Sequence, residues 1–294
     1  MTPKKLRKIV IPVAGYGTRF LPFTKAQPKE MIPVIDKPVI QYVVENAVAA
    51  GFNEVILVTS SNKRSIEDHF DSNFELEHKL KKAGKAEALE AVRHATNLAK
   101  FIFVRQPEPL GNGHAVLMAR EVVGDEPFAM VWGDEILISE PPVLKQLRDC
   151  FEKYHKSTIV LIRSPKDKFE EYCSKYGCAD VEDLGNGEFR VKGVIEKPDP
   201  KDAPSDLFSV GGWIFEPKIM EILAGTKSGK GGEIWLQDAV DVLAKAGELY
   251  GKEMDCKYYD IGSKHGFLRA TIDFALERED TKKELGEYLK SLKL

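Results

Sequence analysis

Residues 7–31 read RKIVIPVAGYGTRFLPFTKAQPKEM, and this stretch decides the fold. Its first part, Arg7 to Ala14, is a short apolar run that suits a strand buried on both faces. Gly15 and Gly17 then open a loop whose backbone amides can approach a ligand closely. Amides at the carboxyl edge of a parallel strand make a cradle for phosphate. Thr18 adds a hydroxyl, and Arg19, Lys25 and Lys29 place three cations within eleven positions. Composition alone leaves two readings open here, a triphosphate-binding loop and a glycine turn followed by a solvated basic loop.

Two other phosphate motifs do not fit. A dinucleotide fingerprint needs G-x-G-x-x-G opening a helix, but Phe20 stands at the third glycine, and Pro22 and Pro28 oppose an immediate helix. A P-loop needs G-x-x-x-x-G-K-[ST], and Gly225 to Lys230 is one residue short of it and is followed by Gly231.

Outward from this loop, strand and helix patterns alternate. Pro38 to Ala50 carries apolar residues at helical spacing, with Gly51 just past its end. Glu54 to Thr59, Phe101 to Arg105, Phe128 to Trp132 and Thr158 to Arg163 read as strands with helical stretches between them. Such alternation predicts right-handed crossovers and a doubly wound, mostly parallel α/β sheet. Beyond Tyr176 the texture changes. Gly185-Asn186-Gly187 sits between alternating segments of Val181 to Lys197 and predicts a hairpin, and Leu207 to Phe215 predicts another strand. Helices are expected over Glu233 to Ala246 and Lys264 to Arg278, with a charged amphipathic helix over Lys282 to Leu294. No flexible boundary precedes the β-rich part, so it is expected to extend the sheet as an addition rather than stand alone.

The 294 residues carry 43 basic and 46 acidic side chains, a net charge of −3. That balance excludes binding to nucleic acid or an anionic membrane through bulk charge. No apolar run approaches the roughly 18 residues of a membrane helix, and Pro12 and Gly15 interrupt the first apolar run where a signal peptide would continue. Four cysteines are too few for a disulfide scaffold of this size, and Cys173 and Cys178 have no companion pair for a zinc site. Reduced thiols and a cytoplasmic location are expected.

The stretch GYGTRFLPFTKAQPKEMIPVIDKPVIQY resembles the N-terminal signature of the sugar-nucleotide pyrophosphorylases, on the branch that uses UTP and glucose 1-phosphate. The resemblance continues through NKRSIEDHFD (Asn62 to Asp71), RQPEPLGNGHAV (Arg105 to Val116), GDEPF (Gly124 to Phe128), SKYG (Ser174 to Gly177), EKP (Glu196 to Pro198), GGEI (Gly231 to Ile234) and YDIG (Tyr259 to Gly262). The pieces occur in the family's order from Ile9 to about Arg278.

The resemblance implies a Rossmann-like nucleotidyltransferase fold over residues 1–294, with 1–175 mainly nucleotide-binding, 176–280 mainly sugar-binding and 281–294 a C-terminal helix. It implies in-line attack of a sugar phosphate oxygen on the α-phosphorus of UTP, which needs positioning and charge neutralisation more than a protein nucleophile. Arg19 and Lys29 would hold the triphosphate, and Lys197 the sugar phosphate. Ala14, Gly15, Gly17 and Thr18 would meet the nucleotide, with Glu30 close by, and Gln106 and Gly111 would read the uracil edge. Gly177, Glu196 and Val210 would line the sugar pocket. Asp134 and Asp260, each at the end of an apparent strand, would be Mg²⁺ ligands. His114 is expected to be structural. Glu196 and Lys197 are neighbours, so both can face the pocket only where the strand bends. A homo-oligomer, dimer or tetramer, is implied, with neither nucleic acid nor membrane as partner.

Departures from the family pattern fall unevenly. GDE stands for GDD at Gly133 to Glu135, VGGW for VGRY at Val210 to Trp213, EIWLQDA for EIQLTDA at Glu233 to Ala239, and YDIGSKHGFLRA for YDTGDKLGYLKA at Tyr259 to Ala270. The nucleotide half is nearly intact and the sugar half has drifted. Two alternatives stay open: the same chemistry with another sugar phosphate or dTTP, and a non-catalytic paralogue that binds a nucleotide sugar.

Overall fold

Ile9, Val10 and Ile11 are wholly buried in strand β1 (Lys8–Pro12), as a run apolar on both faces requires when helices cover the sheet on both sides. The computed structural model describes residues 5–292. After the loop that follows β1, a ribbon of β2 (Pro33–Val34) and β3 (Lys37–Pro38) leads into helix α1 (Val39–Ala49). Strand β4 (Glu54–Thr59), helices α2 (Arg64–Phe70), α3 (Phe74–Lys82) and α4 (Ala86–Asn97), and strand β5 (Lys100–Arg105) follow. Next come α5 (Asn112–Met118), α6 (Arg120–Val123) and β6 (Phe128–Met130). The order β5-β4-β1-β6 is parallel throughout.

The strand expected to run to Trp132 stops at Met130. Val131 makes the last bond to β1, donating to the Val10 carbonyl at 3.3 Å. Gly133 then passes so close to β1 that a Cβ there would lie 2.6 Å from Val13 Cγ1. The chain turns away into β7 (Glu135–Ile138), then α7 (Val143–Tyr154) and β8 (Ser157–Arg163).

The second half adds α8 (Phe169–Lys175), β9 (Gly177–Gly185), β10 (Glu188–Glu196), β11 (Leu207–Phe215), α9 (Lys218–Gly225) and α10 (Leu236–Lys245). It ends with β12 (Leu249–Glu253), β13 (Lys257–Asp260), α11 (Lys264–Glu277) and α12 (Lys282–Ser291); the last two positions of the expected tail helix lie outside the described residues. The main sheet runs β5-β4-β1-β6-β11-β8-β12-β10-β9, and β11 also pairs with β9. The expected parallel arrangement therefore holds for the first half, while the whole sheet is mixed. The β9–β10 pairing has a local cause: Asn186 and Gly187 join the two strands as a two-residue turn with φ of 57° and 68°, and so short a link allows only antiparallel pairing. One apolar core lies on each face. Val39, Val43 and Leu147 belong to the first, and Val116, Leu223 and Leu243 to the second.

Among the described residues, no helix is long and apolar enough to cross a membrane. All four cysteines are free, and all but Cys256 are buried.

Strand β11 carries an irregularity between Ser209 and Trp213. There Gly212 adopts φ +138°, and a Cβ on it would meet Val160 Cγ2 at 2.7 Å. This backbone admits only glycine without strain. Gly212→Ala is expected to lower stability by about 1–3 kcal/mol. Urea unfolding followed by circular dichroism measures this, and an unchanged midpoint would show that β11 relaxes freely.

Candidate active site

At the carboxyl ends of the parallel strands lies a cleft of about 840 Å³, large enough for a nucleotide-sized ligand. Each residue assigned above to nucleotide, sugar phosphate or metal lines it: Ala14, Gly15, Gly17, Thr18, Arg19, Lys29 and Glu30 from the first loop, Gln106, Gly111 and Asp134 from the next crossovers, and Gly177, Glu196, Lys197, Val210 and Asp260 from the second half. Lys25 and His114 do not line it.

The β7–β13 ribbon brings the two aspartates together. Asp260 ends β13 opposite Glu135, and the Ile261 amide donates to the Asp134 carbonyl at 2.9 Å. Lys29, in a short 3₁₀ turn after Pro28, places its Nζ 2.5 Å from Asp134 Oδ2. Burial alone would lower the Lys29 pKa, but the Asp134 and Glu30 carboxylates outweigh it and the pKa is raised. Burial, then the Asp134 charge, raises Asp260. Arg19 Nη1 lies 3.8 Å from Asp260 Oδ2.

Gly262 marks where these groups converge. A Cβ there would lie 2.9 Å from both Asp260 Oδ1 and Arg19 Nη2, and closer still to Asp134 Oδ2. Two carboxylate oxygens facing one point suit a hard cation that completes its shell with phosphate and water. Among the described residues, no group of three or more His, Cys, Asp or Glu side chains gathers to hold a metal ion.

Beneath this cluster sits a buried ion pair that sequence reasoning did not assign. Lys63, within NKRSIEDHFD, and Glu30 are each about 1% exposed, with Nζ 2.8 Å from Oε2. Burial raises the Glu30 pKa, against the opposing pull of Lys63 and Lys29. Glu30 thus borders the cleft with its carboxylate turned to Lys63. The only signal in the sequence was a lysine amid polar residues, which reads equally well as surface.

At one end of the cleft, Gln106 is buried and its Nε2 donates to the Gly111 carbonyl and faces His114 Nδ1, both at 3.0 Å. His114 is therefore the structural partner expected. The LGNG and GGEI segments interlock: Gly113 N donates to Ile234 O at 2.9 Å, and Ile234 N to Leu110 O at 2.8 Å. Gly111, at φ +103°, leaves no space for a Cβ beside the Ile234 backbone.

At the other end, β9 is flanked by both neighbours. Gly177 pairs with Glu196 of β10 and with Ser209 of β11. Burial raises the Glu196 pKa against the neighbouring Lys197. A positive φ of 48° at Lys197 ends the strand, which lets two sequence neighbours share one cleft. Lys197 Nζ then lies 3.8 Å from Glu196 Oε1. Glu135, the GDE departure, is half-buried beside Asp134 and Asp260. Burial first, then those charges, push its pKa up to about 8, and its Oε2 accepts from Gly211 N at 2.9 Å.

The nucleotidyl transferase family model matches residues 8–276. The chain is 44% identical to UTP–glucose-1-phosphate uridylyltransferase 2 of Staphylococcus saprophyticus over 99% of each protein. It is 45% identical to the UTP–glucose-1-phosphate uridylyltransferase of Bacillus subtilis over 98% of each. Its fold matches a UDP-glucose pyrophosphorylase crystallised with UDP-glucose at TM-score 0.84 and 40% identity, covering 93% of this chain and all (100%) of that one. It matches a UTP-bound enzyme of Acinetobacter baumannii at TM-score 0.89 and 36% identity, covering 98% and 100%.

Lys63→Met would leave the Glu30 carboxylate buried without a partner, at an expected cost of about 3–5 kcal/mol. Pairing it with Glu30→Gln should recover most of the loss. Urea midpoints of the single and double variants decide this, and a single-variant loss under about 1 kcal/mol would mean that water reaches Glu30.

Proposed function

The chain belongs to the nucleotidyl transferase family, and on that premise we propose that it joins UTP to glucose 1-phosphate, giving UDP-glucose and pyrophosphate. The observation that carries this reading is a single continuous cleft, with Lys29 and two aspartates at its centre, the Gln106 amide at one end and the Glu196–Lys197 pair at the other. Residues 1–175 supply most of the nucleotide side and 176–280 most of the sugar side.

The Gln106 amide hydrogens are taken by Gly111 and His114, which leaves its oxygen to accept from the N3–H of uracil. Cytosine has an acceptor at N3 and would be rejected. Thymine has the same N3–H, so Gln106 alone does not separate UTP from dTTP. The Gly15 and Gly17 backbone and the Thr18 hydroxyl border the triphosphate, and Arg19 grips it by forked hydrogen bonds. Lys197 holds the sugar phosphate and Glu196 the sugar hydroxyls.

One anionic oxygen of the sugar phosphate attacks the α-phosphorus. The new P–O bond forms as the bond to the β-phosphate bridging oxygen breaks, and the electron pair leaves with pyrophosphate. The attacking oxygen is already ionised, so no base is required. Lys29 is positioned by Asp134 before nucleotide arrives, so its charge needs little reorganisation as the bond breaks. Glu30 acts from below through Lys29. A divalent cation belongs to this chemistry, and Mg²⁺, held by Asp134 and Asp260, would offset phosphate charge and align the triphosphate. Four free thiols support a cytoplasmic enzyme. The exposed apolar row Leu268, Ile272 and Leu276 on α11 supports self-association as a dimer or tetramer.

Pyrophosphate release over a matrix of nucleoside triphosphates and sugar 1-phosphates tests the reading. UTP with glucose 1-phosphate should give the highest kcat/KM, and Asp134→Asn should lose at least about 100-fold of it while remaining folded. A folded Asp134→Asn variant with normal turnover would remove Asp134 from the metal site.

Lys29→Ala is expected to depress kcat by about 100-fold with a smaller change in KM for UTP, because charge builds on the phosphates as the bond breaks. An effect confined to KM would make Lys29 a binding group only.

A further inference from the structure

The sugar end of the cleft is built around an absent side chain. Gly177 lies between Glu196 and Ser209 in adjacent strand registers, so directly opposed residues point to the same face of the sheet. A Cβ on Gly177 would sit 2.8 Å from Val194 Cγ1, 3.2 Å from Glu196 Oε2 and 3.8 Å from Gln237 Oε1. Gly177 is thus the floor of a narrow trough, with Glu196 and Ser209 as its walls and Gln237 overhead from the first turn of α10. All four residues line the cleft.

Two of these polar groups have nothing to bind. Among the described residues, Ser209 Oγ and Gln237 Nε2 are buried and without a hydrogen-bond partner. Leaving such a group unpaired costs about 1–3 kcal/mol, so a partner from outside the chain is favoured. The terminal amide of glutamine turns about a broad, nearly two-fold torsion, and the position now held by Oε1 already overlooks the trough. Glu196 can only accept when ionised, whereas a glutamine amide can donate. A carboxylate and an amide above one glycine therefore suit a hydroxyl, which gives its proton to the first and takes a hydrogen bond from the second.

We propose that Gln237 is a specificity-determining residue for the sugar, donating through its amide to a ring hydroxyl of the hexose 1-phosphate that also donates to Glu196. The assignment rests on the uridylyltransferase reading and deepens it at EIWLQDA, one of the departures that follow the GGEI loop. It makes Gln237 part of what selects the sugar, independent of the base and of the triphosphate.

The test crosses Gln237→Leu and Gln237→Glu with glucose 1-phosphate and its monodeoxy analogues, using UTP and pyrophosphate release. Gln237→Glu keeps the shape and removes the donor, and melting curves check that both variants fold. With glucose 1-phosphate, Gln237→Leu should lower kcat/KM about 10- to 100-fold and leave the KM for UTP unchanged. At one ring position, the penalty that wild-type enzyme shows for the deoxy sugar should disappear in both variants. A structural role would instead lower activity by one common factor for every analogue. That outcome, or a change confined to the KM for UTP, overturns the assignment to Gln237 while leaving uridylyl transfer standing. Failure of wild-type protein to release pyrophosphate from UTP and any of the sugars would overturn both.

Discussion

A chain of alternating charge at the floor of the cleft holds the rest of the site in place. Lys63 meets Glu30, Lys29 precedes Glu30 in the sequence and meets Asp134, and Asp134 shares the space above Gly262 with Asp260 and Arg19. Desolvating the fully buried members, Lys63 and Glu30, costs several kcal/mol, and each is compensated by its neighbours. The first loop, the segment after β4, the β6–β7 turn and the end of β13 must therefore be built together. This is the physical reason for the co-occurrence of four motifs far apart in sequence. None of these segments satisfies its own charge alone.

The same constraint sets the role of β7 and β13. They are short and stand outside the main sheet, and they contribute little to the core compared with β1 or β4. Their antiparallel register nevertheless fixes the spacing of Asp134 and Asp260. Two carboxylates this close repel, and burial first and the Asp134 charge second raise the Asp260 pKa. The backbone pairing holds them against that repulsion and keeps them available to a cation. The nearby Glu135 feels the same repulsion, and the Gly211 amide that it binds opposes it only in part.

Much of this was legible in the sequence. The apolar runs of β1, β4 and β8, the turn chemistry of Asn186-Gly187 and the helical spacing of α1 are local signals, and each element appears where its residues call for it. The fifteen site residues came from the resemblance and share one cleft. What escaped were properties created by pairing. The antiparallel insertion of β11 between β6 and β8 has no local signature, because an apolar strand reads alike in either direction. Lys63 and Gln237 are polar residues in polar surroundings along the chain, and only the fold buries one and suspends the other over Gly177. The end of β6 at Met130 was hidden for the same reason, since Val131 and Trp132 are as apolar as the strand they leave.

Strand β11 pairs with β8 along most of its length, with β9 near its start and with β6 at its end. It thus joins strands of the first half of the chain to the β9 side of the cleft. A domain that could be cut out and exchanged would let new sugar preferences arise by recombination. Here the seam runs through the middle of the sheet, and a graft would have to rebuild hydrogen bonds on both sides of one strand. Diversification of this architecture is therefore channelled into point substitutions on a retained backbone, and its history should be written in single residues such as those at 135, 212 and 237 rather than in exchanged segments.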